Sequence, residues 1–218
     1  SVDESFVALL GKDAVHTYTL GLIGVKDKLI DQRPKLLAPT IDPYDQVWTA
    51  SFKKGAEIRV IDKRGNVVSI PNPYGFGTAI RGISMSPEGS RLAIVHDYYN
   101  GSTVDILPVI RDKSRKVTGL AQPYPLSQFG KSTQTITWVD RVTVAGLVRD
   151  QQGSQSMLTA LVGGASTIGR ITENGLALAS AIGGNHYYLD SNGDLFVSKT
   201  FGWEKSIGQV LAIRMAGQ

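Results

Sequence analysis

One hairpin pattern recurs along this chain, and the recurrence limits the fold more than any other feature. An alternating apolar strand, a polar turn and a second alternating strand follow one another around residues 6–19, 46–61, 92–107, 142–162 and 187–198. The first strands begin near residues 7, 47, 92, 142 and 187. Spacings of about 40 to 50 residues are those of four-stranded propeller blades. A further apolar strand precedes four of the copies, at residues 36–41, 81–85, 133–138 and 176–182. The first copy has none, as if the chain started inside a blade. Turn signals such as Lys54-Gly55, Glu88-Gly89, Asn100-Gly101 and Asn192-Gly193 separate the strands. No long stretch shows the 3.6-residue period of a helix.

A single twisted sheet of four strands cannot bury both of its faces. Radial stacking buries each face against a neighbouring sheet and protects most edges. The sequence therefore predicts an all-β fold, a β-propeller of about five four-stranded blades, the first incomplete at the N-terminus, in a single domain over residues 1–218. A β-sandwich also uses short strands and frequent turns, but it predicts no regular repeat. Residues 209–215 are expected to form a last blade strand.

The formal net charge of +4 is small and its residues are scattered, which does not point to nucleic acid. The densest basic run, residues 111–116, reads as a solvated hairpin or loop. The chain has no cysteine, so disulfides, thiol catalysis and cysteine-bound zinc are excluded. No segment approaches the roughly 20 apolar residues of a membrane span, and no signal peptide is evident. The chain is expected to be a domain excised from a larger protein.

Catalytic patterns are missing. His16, His96 and His186 have no partners at metal-ligand spacing. Asp13, Asp97, Asp150 and Asp190 recur at the hairpin turns, and Asp42, Asp140 and Glu88 recur at the turn before each hairpin. That regularity points to turn chemistry, because an aspartate can bond nearby backbone amides. The glycines at Tyr74-Gly75-Phe76-Gly77 and Gly163-Gly164 lack a phosphate-loop ending, and no nucleophile elbow occurs. The reading is of a protein that is not an enzyme, with no catalytic, metal or cofactor-binding residues and no cofactor. What remains is a set of aromatic residues assigned to connections: Tyr74 and Phe76, Tyr98 and Tyr99, Tyr124 and Phe129. Aromatics on rigidly held loops anchor protein interfaces, so these six are the candidate partner-binding residues.

Several segments resemble the C-terminal propeller of the actinobacterial lipoprotein LpqB family. Residues 83–95, with Ser86-Pro87-Glu88-Gly89, are similar to that family's blade entry, as are residues 37–49 with Pro39 and Trp48-Thr49. The order continues through Trp138-Val139-Asp140 to Asn192-Gly193 and Gly202-Trp203. The ending Ala216-Gly217-Gln218 departs from the expected aromatic-Pro-Gly. The resemblance implies a parent protein that is extracytoplasmic and lipid-anchored to the cell membrane outside this segment. It also implies a non-catalytic domain that contacts the extracytoplasmic part of a sensor histidine kinase, in a two-component system affecting cell-envelope homeostasis. The alternatives are a propeller hydrolase or lactonase, a glycan-binding module acting on the cell wall, and a passive envelope-binding module.

Overall fold

The repeat is visible first in the turns. In the turns at residues 42–46, 62–66, 112–116, 150–154 and 190–194 the first residue is aspartate. The N–H of the fourth residue donates to the carbonyl of the first, and the N–H of the first donates to the carbonyl of the fifth. The fourth residue has positive φ: Asp45, Gly65, Arg115, Gly153 and Gly193 lie between 58° and 92°. This is a three-residue hairpin loop closed by a residue in the left-handed region. The aspartate carboxylate caps the turn from inside. Asp42, Asp112, Asp150 and Asp190 each accept the N–H groups two and four residues on, and Asp62 accepts that of Asn66. Ser86 replaces aspartate in a related turn, where its hydroxyl accepts the Arg91 N–H and Gly89 has a φ of 71°.

The computed structural model describes residues 5–11, 13–21, 24–129, 132–150, 152–170, 174–180, 185–199 and 202–208. A three-stranded sheet comes first: β1 (Ser5–Gly11), β2 (Ala14–Gly21) and β3 (Gly24–Gln32). The second sheet holds β4 (Thr40–Ile41), β5 (Val47–Thr49), β6 (Ile58–Ile61) and β7 (Val67–Ile70). The third holds β8 (Ile80–Met85), β9 (Arg91–Tyr98), β10 (Gly101–Arg111) and β11 (Val117–Leu120), with β12 (Tyr124–Pro125) pairing further along β10. The fourth holds β13 (Thr133–Trp138), β14 (Thr143–Arg149), β15 (Gln155–Leu161) and β16 (Ser166–Arg170). The last holds β17 (Gly175–Ser180), β18 (His186–Asp190), β19 (Leu195–Lys199) and β20 (Gly202–Ile207). A 3-10 turn, Ser127–Phe129, is the one helical element among the described residues.

The fold is an all-β propeller with four four-stranded blades. The expectation of five such blades is thus met by four, preceded by the three-stranded sheet β1–β3. Residues 209–215, expected as a last strand, lie outside the described residues.

Strand alternation builds the interfaces between blades. Leu92 and Ile94 of β9 join Trp48, Ile58, Val60 and Met85 in one core, between the second and third sheets. Ala93 and Val95 of the same strand face the other way, into a core with Val104, Ile106, Phe129, Trp138 and Val144. Ala145 and Leu147 of β14 then begin the next core, against Leu178 and Tyr188. The first strand of each blade touches that of the next. Met85 N–H donates to Thr40 Oγ1 at 3.1 Å, and Trp138 Nε1 donates to the Ser84 carbonyl at 3.0 Å.

The packing is tight at Gly146, where a Cβ would stand 2.6 Å from Phe129 and 3.0 Å from the Thr135 carbonyl. Gly146→Ala is expected to destabilise the domain by about 1–3 kcal/mol through overpacking. Urea unfolding, with an unchanged m-value, checks this.

Candidate partner-binding face

All pairings within the blades are antiparallel, so successive connections alternate between the two ends of the propeller. The β5–β6, β7–β8 and β9–β10 connections share one end, called here the aromatic end. The β4–β5, β6–β7, β8–β9, β10–β11 and β13–β14 turns share the other.

At the aromatic end a cleft of about 340 Å³ lies between the second and third sheets, lined by Lys54, Gly77, Thr78, Arg81, Asp97, Tyr99, Asn100 and Gly101. Three connections form it. The β5–β6 segment brings Phe52, Lys53 and Lys54. The β7–β8 segment brings Phe76 and is tied to β5–β6 by the Gly55 N–H donating to the Thr78 carbonyl at 3.0 Å. A Cβ at Gly55 would stand 2.9 Å from Phe76 Cα, so glycine permits this close approach. The β9–β10 hairpin brings Tyr98 and Tyr99. On the third-sheet side, Arg81 Nε and Asp97 Oδ1 pair at 2.5 Å between adjacent strands, and the Arg81 guanidinium lies 5.0 Å from the Phe52 ring centroid of the second blade. Lys53 and Lys54 are exposed, and neither has an ion-pair partner among the described residues.

The six aromatic candidates divide. Phe76 is 91 % exposed, Tyr99 84 % and Tyr98 44 %, and the two tyrosine rings meet edge-on at 4.5 Å. Tyr99 has a φ of 49°, an uncommon conformation for a bulky residue. Strain of that kind is kept where the surroundings determine it, often at functional surfaces.

Tyr74 turns inward instead. Its ring stacks on His96 at 3.7 Å, and its hydroxyl is buried without a hydrogen-bond partner among the described residues. Burial, with the nearby Asp105 charge, pushes its ionisation far above the ordinary tyrosine range. Tyr124 lies in β12 rather than in a loop, half-buried against the core that holds Phe129. Phe129 itself is 2 % exposed. Its apolar ring fills the space over Gly146, so it is a core residue and leaves the candidate surface.

Asp97, read from sequence as a turn residue, is in β9 and faces the cleft through its pair with Arg81. Phe52, Lys54 and Arg81 were not singled out from sequence. The Lys53-Lys54-Gly55 turn was visible, but its partners come from the next blade. The histidines are held locally: His16 by Asp27, His96 by Asp105 and the Asp97 carbonyl, and His186 by Ser180. Burial lowers the pKa of His186. Among the described residues, no three His, Asp or Glu side chains are grouped as a metal site. A second cleft, of about 440 Å³, opens at the same end beside Gln134, Arg149, Asn174 and Leu176.

The model of the lipoprotein LpqB β-propeller domain family matches residues 1–210. The chain belongs to this family. In fold, the LpqB-type propeller is similar to TolB from Acinetobacter baumannii, with a TM-score of 0.65 and 18% identity over 94% of this chain and 52% of that one. The chain thus spans about half of that protein's length. It is also similar to a chain of a nidogen/laminin complex, with a TM-score of 0.72 and 12% identity over 98% of this chain and 82% of that one. A third likeness is to a TolB-type structure from Agrobacterium tumefaciens, with a TM-score of 0.63 and 11% identity over 92% and 76% of the two chains. At these identities the likenesses show the fold alone. No curated protein matches the chain significantly.

Tyr99 also allows strain and contact to be separated. Tyr99→Gly relieves the positive φ but removes the ring, and it is expected to change stability by less than about 1 kcal/mol. Thermal unfolding checks this.

Proposed function

We propose that this domain is a non-catalytic, extracytoplasmic protein-interaction module of a lipid-anchored parent, and that its partner is the extracytoplasmic domain of a sensor histidine kinase. The observation that carries the reading is the exposure of Phe76 and Tyr99 on either side of a polar cleft held by three connections from two blades. Aromatic side chains have only two χ angles, so they present a large contact area at a low cost in conformational entropy. Lys53 and Lys54 beside them favour a partner surface that carries carboxylates. Family membership supports the lipoprotein parent and its location.

Calorimetric titration of the folded chain with the cognate kinase's extracytoplasmic domain tests the proposal. Saturable binding at micromolar Kd or tighter, about −8 kcal/mol, is the expected result. Absence of heat at high concentrations of both proteins would remove the kinase as a direct partner.

A further inference from the structure

The opposite end of the propeller has a different character. Its turns present Arg64, Lys113, Arg115, Lys116 and Arg141, all exposed and none in an ion pair with a carboxylate among the described residues. Three acids of these turns accept from their own turn, whereas Asp45 pairs with Lys63 of the β6–β7 turn at 2.7 Å. Asp62 caps residues 62–66, Asp112 accepts from Ser114 and Lys116, and Asp140 accepts from Val142 and Thr143. The Ser114 and Lys116 hydrogen bonds hold Asp112 below the ordinary carboxylate range. Asp42 is buried under Arg111, and Glu88 holds Ser90 and Arg91. The turn chemistry that repeats along the chain thus engages Asp62, Asp112 and Asp140 with donors of their own turns, although Asp112 and Asp140 stay exposed, and leaves these five exposed cations without a carboxylate partner among the described residues.

The turns form one surface across three blades. Arg111 of the third sheet donates to Gln46 Oε1 of the second at 2.6 Å, and Arg91 donates to the Arg141 carbonyl at the edge of the fourth. Lys28 of the first sheet reaches the Lys63 carbonyl at 3.3 Å. Exposed apolar side chains occur at the strand ends and turns of the same end: Val67, Ile110, Val142 and Leu161, and the guanidiniums of Arg111 and Arg115 lie 4.7 and 5.2 Å from the Tyr44 ring centroid. Both clefts described above open at the other end.

We infer that this basic end is a peripheral membrane-binding surface, seated on the anionic phospholipid headgroups of a bilayer. Cations spread over three blades match a planar array of phosphates, which attracts each Lys or Arg within a Debye length. The exposed Val, Ile, Leu and Tyr side chains of this end suit the boundary between headgroup and acyl chain. Seated this way, the propeller directs its aromatic end away from the bilayer. The inference stands apart from the identity of any protein partner.

Co-sedimentation of the chain with phosphatidylglycerol-containing vesicles tests it. Binding is expected, weakening as salt rises, and absent with pure phosphatidylcholine. Lys113→Glu/Lys116→Glu/Arg141→Glu should reduce binding by about tenfold or more, whereas Lys53→Glu/Lys54→Glu at the aromatic end should leave it unchanged. All five positions are exposed, and circular dichroism confirms that the variants fold. Failure to bind anionic vesicles, or equal losses in the two variants, would overturn the inference. So would binding confined to soluble polyphosphate, which would make the basic end a polyanion site instead.

Discussion

Asp42→Ala should lower the stability of the domain by about 3–5 kcal/mol, the cost of leaving one partner of a buried ion pair unpaired. The Asp42 side chain is fully buried and serves four donors. These are the Tyr44 and Gln46 N–H groups at 2.9 and 3.0 Å, Trp48 Nε1 at 3.0 Å and Arg111 Nη2 at 2.6 Å. Its removal leaves the indole N–H without its acceptor and the largely buried guanidinium without its counter-charge. Arg111 comes from the neighbouring blade, so the same change loosens the contact between the second and third sheets. For a chain of this size the melting temperature should fall by about 6–20 °C. Asp42→Asn keeps one acceptor oxygen and should lose less. Differential scanning calorimetry of both variants checks the order, and equal stability of wild type and Asp42→Ala would refute this account of the blade contact.

The second large effect is on binding. Phe76→Ala with Tyr99→Ala should weaken the proposed partner complex by at least 30-fold, since exposed aromatic anchors of this kind contribute about 2 kcal/mol or more when they are hot spots. The core should not notice: both side chains are exposed, and neither belongs to an interblade cluster. Phe129→Ala gives the opposite pattern, a loss of stability with little direct effect on the face. Loss of affinity with an unchanged melting temperature is the expected signature. Affinity retained within a factor of two would move the contact elsewhere.

Much of the fold was legible in the sequence because its central strands are buried on both faces. Arg91–Tyr98 and Thr143–Arg149 supply alternate residues to two cores, and so they read as strong β runs at a regular spacing. The outer strands were harder to see. Val67–Ile70 and Val117–Leu120 each have one fully buried side chain, because one edge of each faces solvent, and Ser166–Arg170 is mostly exposed. Turn aspartates such as Asp150 and Asp190 were readable from their recurrence, and their carboxylates do cap the turns. Asp97 broke that pattern because Arg81, sixteen residues away on the adjacent strand, captures it.

The candidate face was legible only in part. Aromatic content marks Phe76, Tyr98 and Tyr99, but nothing local distinguishes them from Phe129, which a neighbouring glycine draws into the core. The cleft depends on contacts between β5–β6, β7–β8 and β9–β10, which are separate in sequence and meet only when two blades stack. The same holds for the Asp42–Arg111 pair, whose members are 69 residues apart.

Hydrogen exchange on the chain, alone and saturated with the sensor kinase domain, tests the central claim most directly. Binding at the aromatic end predicts slowed exchange in residues 52–56, 74–78 and 98–101, with the turns at 62–66 and 112–116 unchanged. Protection confined to those two turns, or none at either end despite saturation, would contradict it.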